Sequence, residues 1–381
     1  MIPVKIIDQA KKSIAKFVNN SNKTNPNFYT GYCLIKNGRI LQEKNDSLYV
    51  NLASASKPFL IYFLGLSLEK YKDIKNINDK FKVTPALVRE LINRKKENFF
   101  SSKKKFKKVT EWIEMQKIGK DNKVNTDLKF PNAYINFPEL CEIVLTYSSN
   151  QGSILAKNKL DEIFKNHEHL QKEFDEMGIA QTLELNKGGF EFWNQSGANT
   201  GRLRDIALSF DKLFNEDDKE LNPQQHKVKK QAIKSLKWGK CFGLEQDLQK
   251  MDQINMWCKD GIIWPVVWGR KLSKQGFPPH LSIGLLLRIK SKEDSYTLAY
   301  FKAVEVKLPK DIDYTKFPDY IDDKKYNAYI SIVKQKYNML IYSEVKKLLI
   351  KEGIVKNYRS NLLNLIKMHA KLNYYYIKSR F

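Results

Sequence analysis

In the stretch NLASASKPFL, residues 51–60, Ser54 is followed three positions later by Lys57. On a helix that spacing brings both side chains to one face, one turn apart. An amine so placed can take the proton of a hydroxyl and turn serine into a nucleophile toward a carbonyl carbon. The spacing alone is not distinctive, because it occurs eight times, beginning at Ser13, Ser54, Ser67, Ser101, Ser102, Ser209, Ser331 and Ser343. The setting separates them. SLYVNLA leads into Ser54 as an extended piece, and from Pro58 the unbroken apolar run FLIYFLGLSL predicts a buried core helix. Ser54 therefore falls where a loop enters a buried helix, where backbone N–H groups and the helix dipole favour developing negative charge. The other seven serines lack that setting.

Two further motifs carry polar groups suited to proton transfer and substrate binding. TYSSNQGSIL puts Ser148, Ser149 and Asn150 ahead of an apolar helical stretch, and Ser-x-Asn occurs once in the chain. MWCKDGI puts Lys259, Asp260 and Gly261 on a predicted strand. Lys-x-Gly occurs seven times, but only here on the strand that would form the rim of a cleft. The plainer reading of Ser148 and Asn150 is a helix cap with a side-chain-to-backbone bond.

The elements that must position these motifs follow from periodicity. Residues 3–19 carry apolar positions at Val4, Ile7, Ala10, Ile14 and Phe17–Val18, the pattern of an amphipathic helix. FYTGYCLIKNGRILQEKN reads as a hairpin turning through Asn37-Gly38. Residues 80–240 read as mainly helical. Strand patterning returns in INMWCKDGIIW, HLSIGLLLRIK (280–290) and SYTLAYFKAVEV (295–306). A linker with Pro309 and Pro318 precedes a helical C-terminus over about 325–381. Strands at both ends with helices between them describe an α/β (α+β) chain with an antiparallel sheet built discontinuously. The sheet lobe takes about 1–60 and 250–310, the helical lobe about 61–249, and a cleft lies between the two. Residues 311–381 form a basic helical extension packing on the sheet lobe. No internal repeat is present.

Composition bounds the partners. The chain has 381 residues, 42% of them hydrophobic, enough to bury a sizeable core. Its 67 Lys+Arg against 42 Asp+Glu give a net charge of +25. Such a field favours polyanions: nucleic acid, anionic membrane surfaces or acidic cell-wall polymers. A lysine-rich source proteome produces the same excess with no partner at all. RKKENFFSSKKKFKK (94–108) holds eight basic residues and one acid and reads as a solvated insertion. Its alternative is a polyanion contact with Phe99, Phe100 and Phe106 as stacking groups. The tail from 321 has 13 basic and four acidic residues. Cys33, Cys141, Cys241 and Cys258 lack CxxC spacing, which argues against a zinc site and leaves room for one disulfide. No apolar run reaches the length of a membrane span. The first 20 residues lack the apolar core of a signal peptide. The expected location is periplasmic or secreted if a signal was removed, and cytoplasmic otherwise.

Taken in order, Ser-x-x-Lys, Tyr-Ser-x-Asn and Lys-x-Gly resemble the serine β-lactamase and penicillin-binding (DD-peptidase) superfamily, with the class A β-lactamases the nearest branch. YSSNQGSILAKNKL is similar to that branch's second motif and following helix. SGANTGRLRDIALSFDKLF (196–214) is similar to the helix after its omega loop, and the resemblance covers roughly 25–310. It implies a five-stranded antiparallel sheet flanked by N- and C-terminal helices, plus an all-helical lobe. It also implies a monomer without cofactor, acting on a β-lactam or a D-Ala-D-Ala-like amide or ester. Ser54 would be acylated. Lys57, neutral through burial and a second cation such as Lys259, would be its base. Ser148 would relay a proton to the leaving nitrogen, with Lys259 beside it. Asn150 would hold the substrate's side-chain amide. The backbone N–H groups of Ser54 and of Ile262, next to Gly261, would form the oxyanion hole.

The chain departs from that pattern in two places. The branch deacylates with water activated by an omega-loop glutamate that has an asparagine four residues on. In TLELNKGGFEFWNQSGANT, Glu184 has Asn186 two residues on and Glu191 has Asn194 three on, so deacylation is expected to be slow, with Glu191 the candidate base. The third motif has Asp260 and then Ile262 and Ile263 where the family offers hydroxyls for a substrate carboxylate. An acid there repels an anionic substrate end, and Arg270 or His280 are the available substitutes. Two other readings stay open: a catalytically silent descendant binding cell wall or another polyanion, and a glutaminase-type amidohydrolase of the same fold.

Overall fold

The computed structural model describes residues 30–71, 81–91, 134–183, 200–214, 221–263, 280–305 and 324–355, single residues and pairs within those spans excepted. The helix expected over 3–19, the Lys-rich segment 94–108, the linker with Pro309 and Pro318, and the tail from 356 lie outside them.

The hairpin forms as its turn chemistry requires. Strands β1 (Thr30–Lys36) and β2 (Arg39–Lys44) pair antiparallel. They meet at Asn37 and Gly38, with φ of 50° and 78°, the left-handed pair that an Asn-Gly turn supplies at low cost. A short β3 (Tyr49–Asn51) leads through a 3₁₀ turn (Ala53–Ser56) into helix α1 (Lys57–Lys70). From Lys57 to Leu68 every residue of α1 is buried. That explains why its sequence shows no polar face.

The chain then forms β4 (Phe81–Lys82) and β5 (Tyr134–Ile135), which pair with each other. Next come α2 (Phe137–Cys141), a π turn (Glu142–Thr146), α3 (Asn150–Ile163) and α4 (His167–Glu176). After them follow β6 (Thr200–Arg202), α5 (Leu203–Lys212), α6 (Pro223–Leu236) and α7 (Leu244–Leu248). The long strands β7 (Asn255–Ile263), β8 (His280–Lys290) and β9 (Ser295–Glu305) precede helix α8 (Lys324–Lys351).

Packing divides the chain into two compact units. The sheet unit comprises Met1–Ala55, Trp193–Lys212 and Lys237–Phe381. Its five strands run in the order β2-β1-β9-β8-β7, all antiparallel, so strands from both ends of the sequence share one sheet. Met256, Cys258, Leu285, Leu287 and Leu298 of the sheet pack with Ile341, Val345 and Leu349 of α8 and with Leu244 and Leu248 of α7. Helix α5 packs against β1 and β9, where Arg288 is buried with Asp211 and Thr297 as its hydrogen-bond partners.

The helical unit comprises Ser56–Phe192 and Leu213–Leu236. Helix α1 runs through its middle, against α6, α3 and the π turn. The mixed α/β architecture with a five-stranded antiparallel sheet is the one the sequence implies.

Candidate active site

On the sheet unit the site is built around the turn that carries Ser54. Ala53 adopts φ 45°, a left-handed conformation unusual for alanine, and the Ala55 N–H donates to the Leu52 carbonyl at 2.9 Å. Ser54 is half-buried while Ala53 and Ala55 are buried. Non-glycine residues hold such backbone only where their surroundings over-determine it, and such places concentrate at functional sites.

The constraint comes from β7. A Cβ built on Gly261 would lie 2.2 Å from Leu52 O, 2.6 Å from Ala55 N and 2.8 Å from Ser54 N. The Ser54 turn therefore rests directly on the main chain of Gly261, a closeness only glycine allows. Ile262, the next residue, packs its side chain against the sheet core. Ser54 and the Gly261–Ile262 backbone, far apart in sequence, are thus brought together.

Lys259 is 3% exposed. Its Nζ donates to the Asp260 carbonyl at 3.2 Å and stands 3.6 Å from Asp260 Oδ1. Asp260 remains partly open, its side chain 27% exposed. The departure from the family's third motif therefore puts a carboxylate beside a buried lysine.

The helical unit has a polar cluster of its own, built around Lys57, whose exposure is 0%. Its Nζ donates to Ser148 O at 2.8 Å, Ser149 O at 3.2 Å and Asn150 Oδ1 at 2.8 Å, and lies 3.4 Å from Ser148 Oγ. None of these four acceptors carries a charge. Burying a lysine this completely is costly unless its amine is hydrogen-bonded. The turn of Ser148, Ser149 and Asn150 supplies those bonds.

The turn itself is shaped by the π segment before it: Tyr147 N–H reaches back to Glu142 O at 3.2 Å, and Ser149 N–H to Ile143 O at 3.1 Å. π turns recur at functional positions. Ser148 sits at φ 54°, left-handed like Ala53. The Tyr147 phenol donates to Glu142 at 3.1 Å, and burial with that carboxylate pushes its pKa upward, so it stays protonated at neutral pH. The helix cap expected of Ser148 or Asn150 is made instead by Ser149, whose Oγ accepts from Gly152 N–H at 2.8 Å. That leaves the Ser148 hydroxyl and the Asn150 amide facing Lys57.

One residue of this unit escaped the sequence reading. Glu90 accepts hydrogen bonds from Asn150 N–H at 2.8 Å, Gln151 N–H at 2.9 Å and the Ser149 hydroxyl. No sequence signal pointed to it: α3 has no acidic residue in its first turn to meet the helix dipole, but that absence does not name the distant carboxylate that takes the place.

Glu184, Glu191 and Arg270 lie outside the described residues, and His280 is the first residue of β8. Among the described residues no group of three or more His, Cys, Asp or Glu side chains is arranged to hold a metal ion. No helix there is long and apolar enough to cross a membrane.

No protein-family model matches the chain, and no curated protein is significantly similar to it in sequence. Solved structures do resemble it. A β-lactamase from Sphaerobacter thermophilus is 11% identical, with a TM-score of 0.48, over 77% of this chain and 89% of that one. A mutant of PBP-A, solved as an acyl-enzyme complex with penicillin G, is 13% identical, with a TM-score of 0.46, over 88% and 97%.

Proposed function

We propose that the protein is a serine acyl hydrolase that forms an acyl-enzyme on Ser54 and releases it slowly. The observation that supports this most is the fully buried Lys57 amine, hydrogen-bonded to the turn that carries Ser148 and Asn150. A lysine serving only as surface charge has no reason to be buried in this way.

In this mechanism Ser54 Oγ attacks the carbonyl carbon of an amide, lactam or ester. Its proton leaves to the Lys57 amine, three residues along the same chain, in the form that has first lost a proton and with it one of the three hydrogen bonds that the group donates. The oxyanion is received by the N–H groups of Ser54 and Ile262, preorganised because the Ser54 turn rests on Gly261. As the tetrahedral intermediate collapses, the carbon–nitrogen or carbon–oxygen bond breaks. The proton passes from Lys57 to the leaving atom through the Ser148 hydroxyl, 3.4 Å from Nζ. In this reading Asn150 holds the substrate amide.

Water then hydrolyses the ester on Ser54. The spacing around Glu184 and Glu191 does not match that of an efficient deacylating base, and a missing general base costs about 10²–10⁴-fold. Slow release follows. The substrate class is a β-lactam or a D-Ala-D-Ala-like peptide, with Asp260 disfavouring an anionic end.

Steady-state hydrolysis of a β-lactam or activated ester tests the assignment. Ser54→Ala and Lys57→Ala should each remove nearly all turnover. The double variant should be little worse than either, since groups acting as a unit are not additive. Undiminished turnover in Ser54→Ala would end this reading.

A further inference from the structure

We propose that Glu90 is a positioning residue for the reaction, holding the Ser148–Asn150 turn by its main chain. The proposal rests on the acyl-transfer reading above. Two groups grip this one turn from its two kinds of backbone dipole. Lys57 takes the carbonyls of Ser148 and Ser149, and Glu90 takes the N–H groups of Asn150 and Gln151. Glu90 also receives the Ser149 hydroxyl, so the residue that caps α3 is itself held.

The arrangement goes beyond an ordinary cap. Ser149 Oγ already satisfies Gly152 N–H, and Glu90 reaches its partners from 60 residues away in sequence. Ser148 is kept at φ 54°, a conformation serine leaves readily when its neighbours relax. Charge-assisted bonds to consecutive N–H groups are among the stronger ways to prevent that relaxation. With the clamp in place the Ser148 hydroxyl stays within reach of Lys57 Nζ, and Asn150 keeps its side-chain oxygen on the same amine. Without it, a displacement of about 1 Å costs up to roughly 10²-fold in rate.

The test uses the full chain with Glu90→Ala and Glu90→Gln. Acylation of Ser54 by a penicillin or an activated ester is followed by intact mass, and amide hydrogen exchange is read at Asn150 and Gln151. In Glu90→Ala the acylation rate should fall about 10–10²-fold, with faster exchange confined to those amides. Gln retains a single carbonyl oxygen, so it should rescue only in part. In a Ser148→Ala background, Glu90→Ala should cost less than it does in the wild type, whereas a general loss of folding would cost the same in both. Wild-type acylation rates in Glu90→Ala, or equal cost in both backgrounds, would overturn the proposal. If Glu90→Ala fails to fold, Glu90→Gln answers the same questions. If the wild-type protein takes no acyl group, the acyl-transfer reading falls. The clamp is then judged by exchange alone, fast at Asn150 and Gln151 in the variant if it exists and unchanged if it does not.

Discussion

Gly261→Ala isolates the contact on which the position of Ser54, the proposed nucleophile, depends. The added methyl would stand 2.2 Å from Leu52 O, where ordinary contact begins at 3.4 Å, with Ala55 N and Ser54 N also under 3.0 Å. All three are backbone atoms, so no side chain can swing aside. Either β7 or the Ser54 turn must retreat by about 1 Å, an overpacking cost of about 1–3 kcal/mol. Thermal unfolding should fall by about 2–4 °C for each kcal/mol. Acylation of Ser54 should fall further than stability does, by about 10²-fold, because the displaced atoms include the proposed oxyanion donor and the backbone of the proposed nucleophile.

The matched control is Gly284, paired with Gly261 across β7 and β8. Its added methyl would meet the same turn at 3.4 Å or more, in ordinary contact. Gly284→Ala should therefore be nearly silent in both calorimetry and acylation kinetics. Equal behaviour of the two variants, or a Gly261→Ala protein with wild-type acylation, would refute the reasoning.

Three further outcomes are expected. Asp260→Thr removes a part-exposed carboxylate and supplies a hydroxyl, so acylation by carboxylate-bearing penicillins should rise about tenfold, a 1.4 kcal/mol effect; an unchanged rate would place the substrate's anionic end elsewhere. All four thiols are buried. Burial first, then Asp46 and Glu43, pushes Cys33 up to about 12, and burial likewise raises Cys141, Cys241 and Cys258. Iodoacetamide at about pH 8 should thus leave the native protein unlabelled and alkylate all four in denaturant; rapid native labelling would contradict this. Lys70 donates to Glu173 at 2.7 Å and holds its carboxyl below the usual 4.5. That stabilisation is complete above 4.5 and is lost as pH falls through the lowered value. Glu173→Gln should flatten the decline of Tm between about pH 5 and pH 3, and an identical slope in the variant would show the bond contributes nothing.

Much of the fold was legible because local chemistry and burial agree. Asn37-Gly38 demanded the hairpin. HLSIGLLLRIK and SYTLAYFKAVEV have the β-rich composition of strands, and β8 and β9 occupy nearly those bounds. The setting of Ser54 was readable because α1 is apolar all round, the mark of a helix buried on every side. The helix cap, weighed for Ser148 and Asn150 as the plainer alternative, falls on Ser149 between them; three consecutive polar residues offer three capping candidates. Glu90 was not legible. ALVREL is an ordinary amphipathic stretch, and a contact spanning 60 residues leaves no periodic trace. The pressure of Gly261 on the Ser54 turn was likewise hidden, because it joins two main chains and involves no side chain that a motif could name.

The central claim is a covalent acyl intermediate on Ser54, and intact mass after exposure to penicillins and activated esters tests it most directly. The account predicts a mass increase of one acyl group that persists after the free reagent is removed, maps to the peptide carrying Ser54 and Lys57, and is absent from Ser54→Ala. No adduct with any of these reagents, or an adduct that survives in Ser54→Ala, would contradict it.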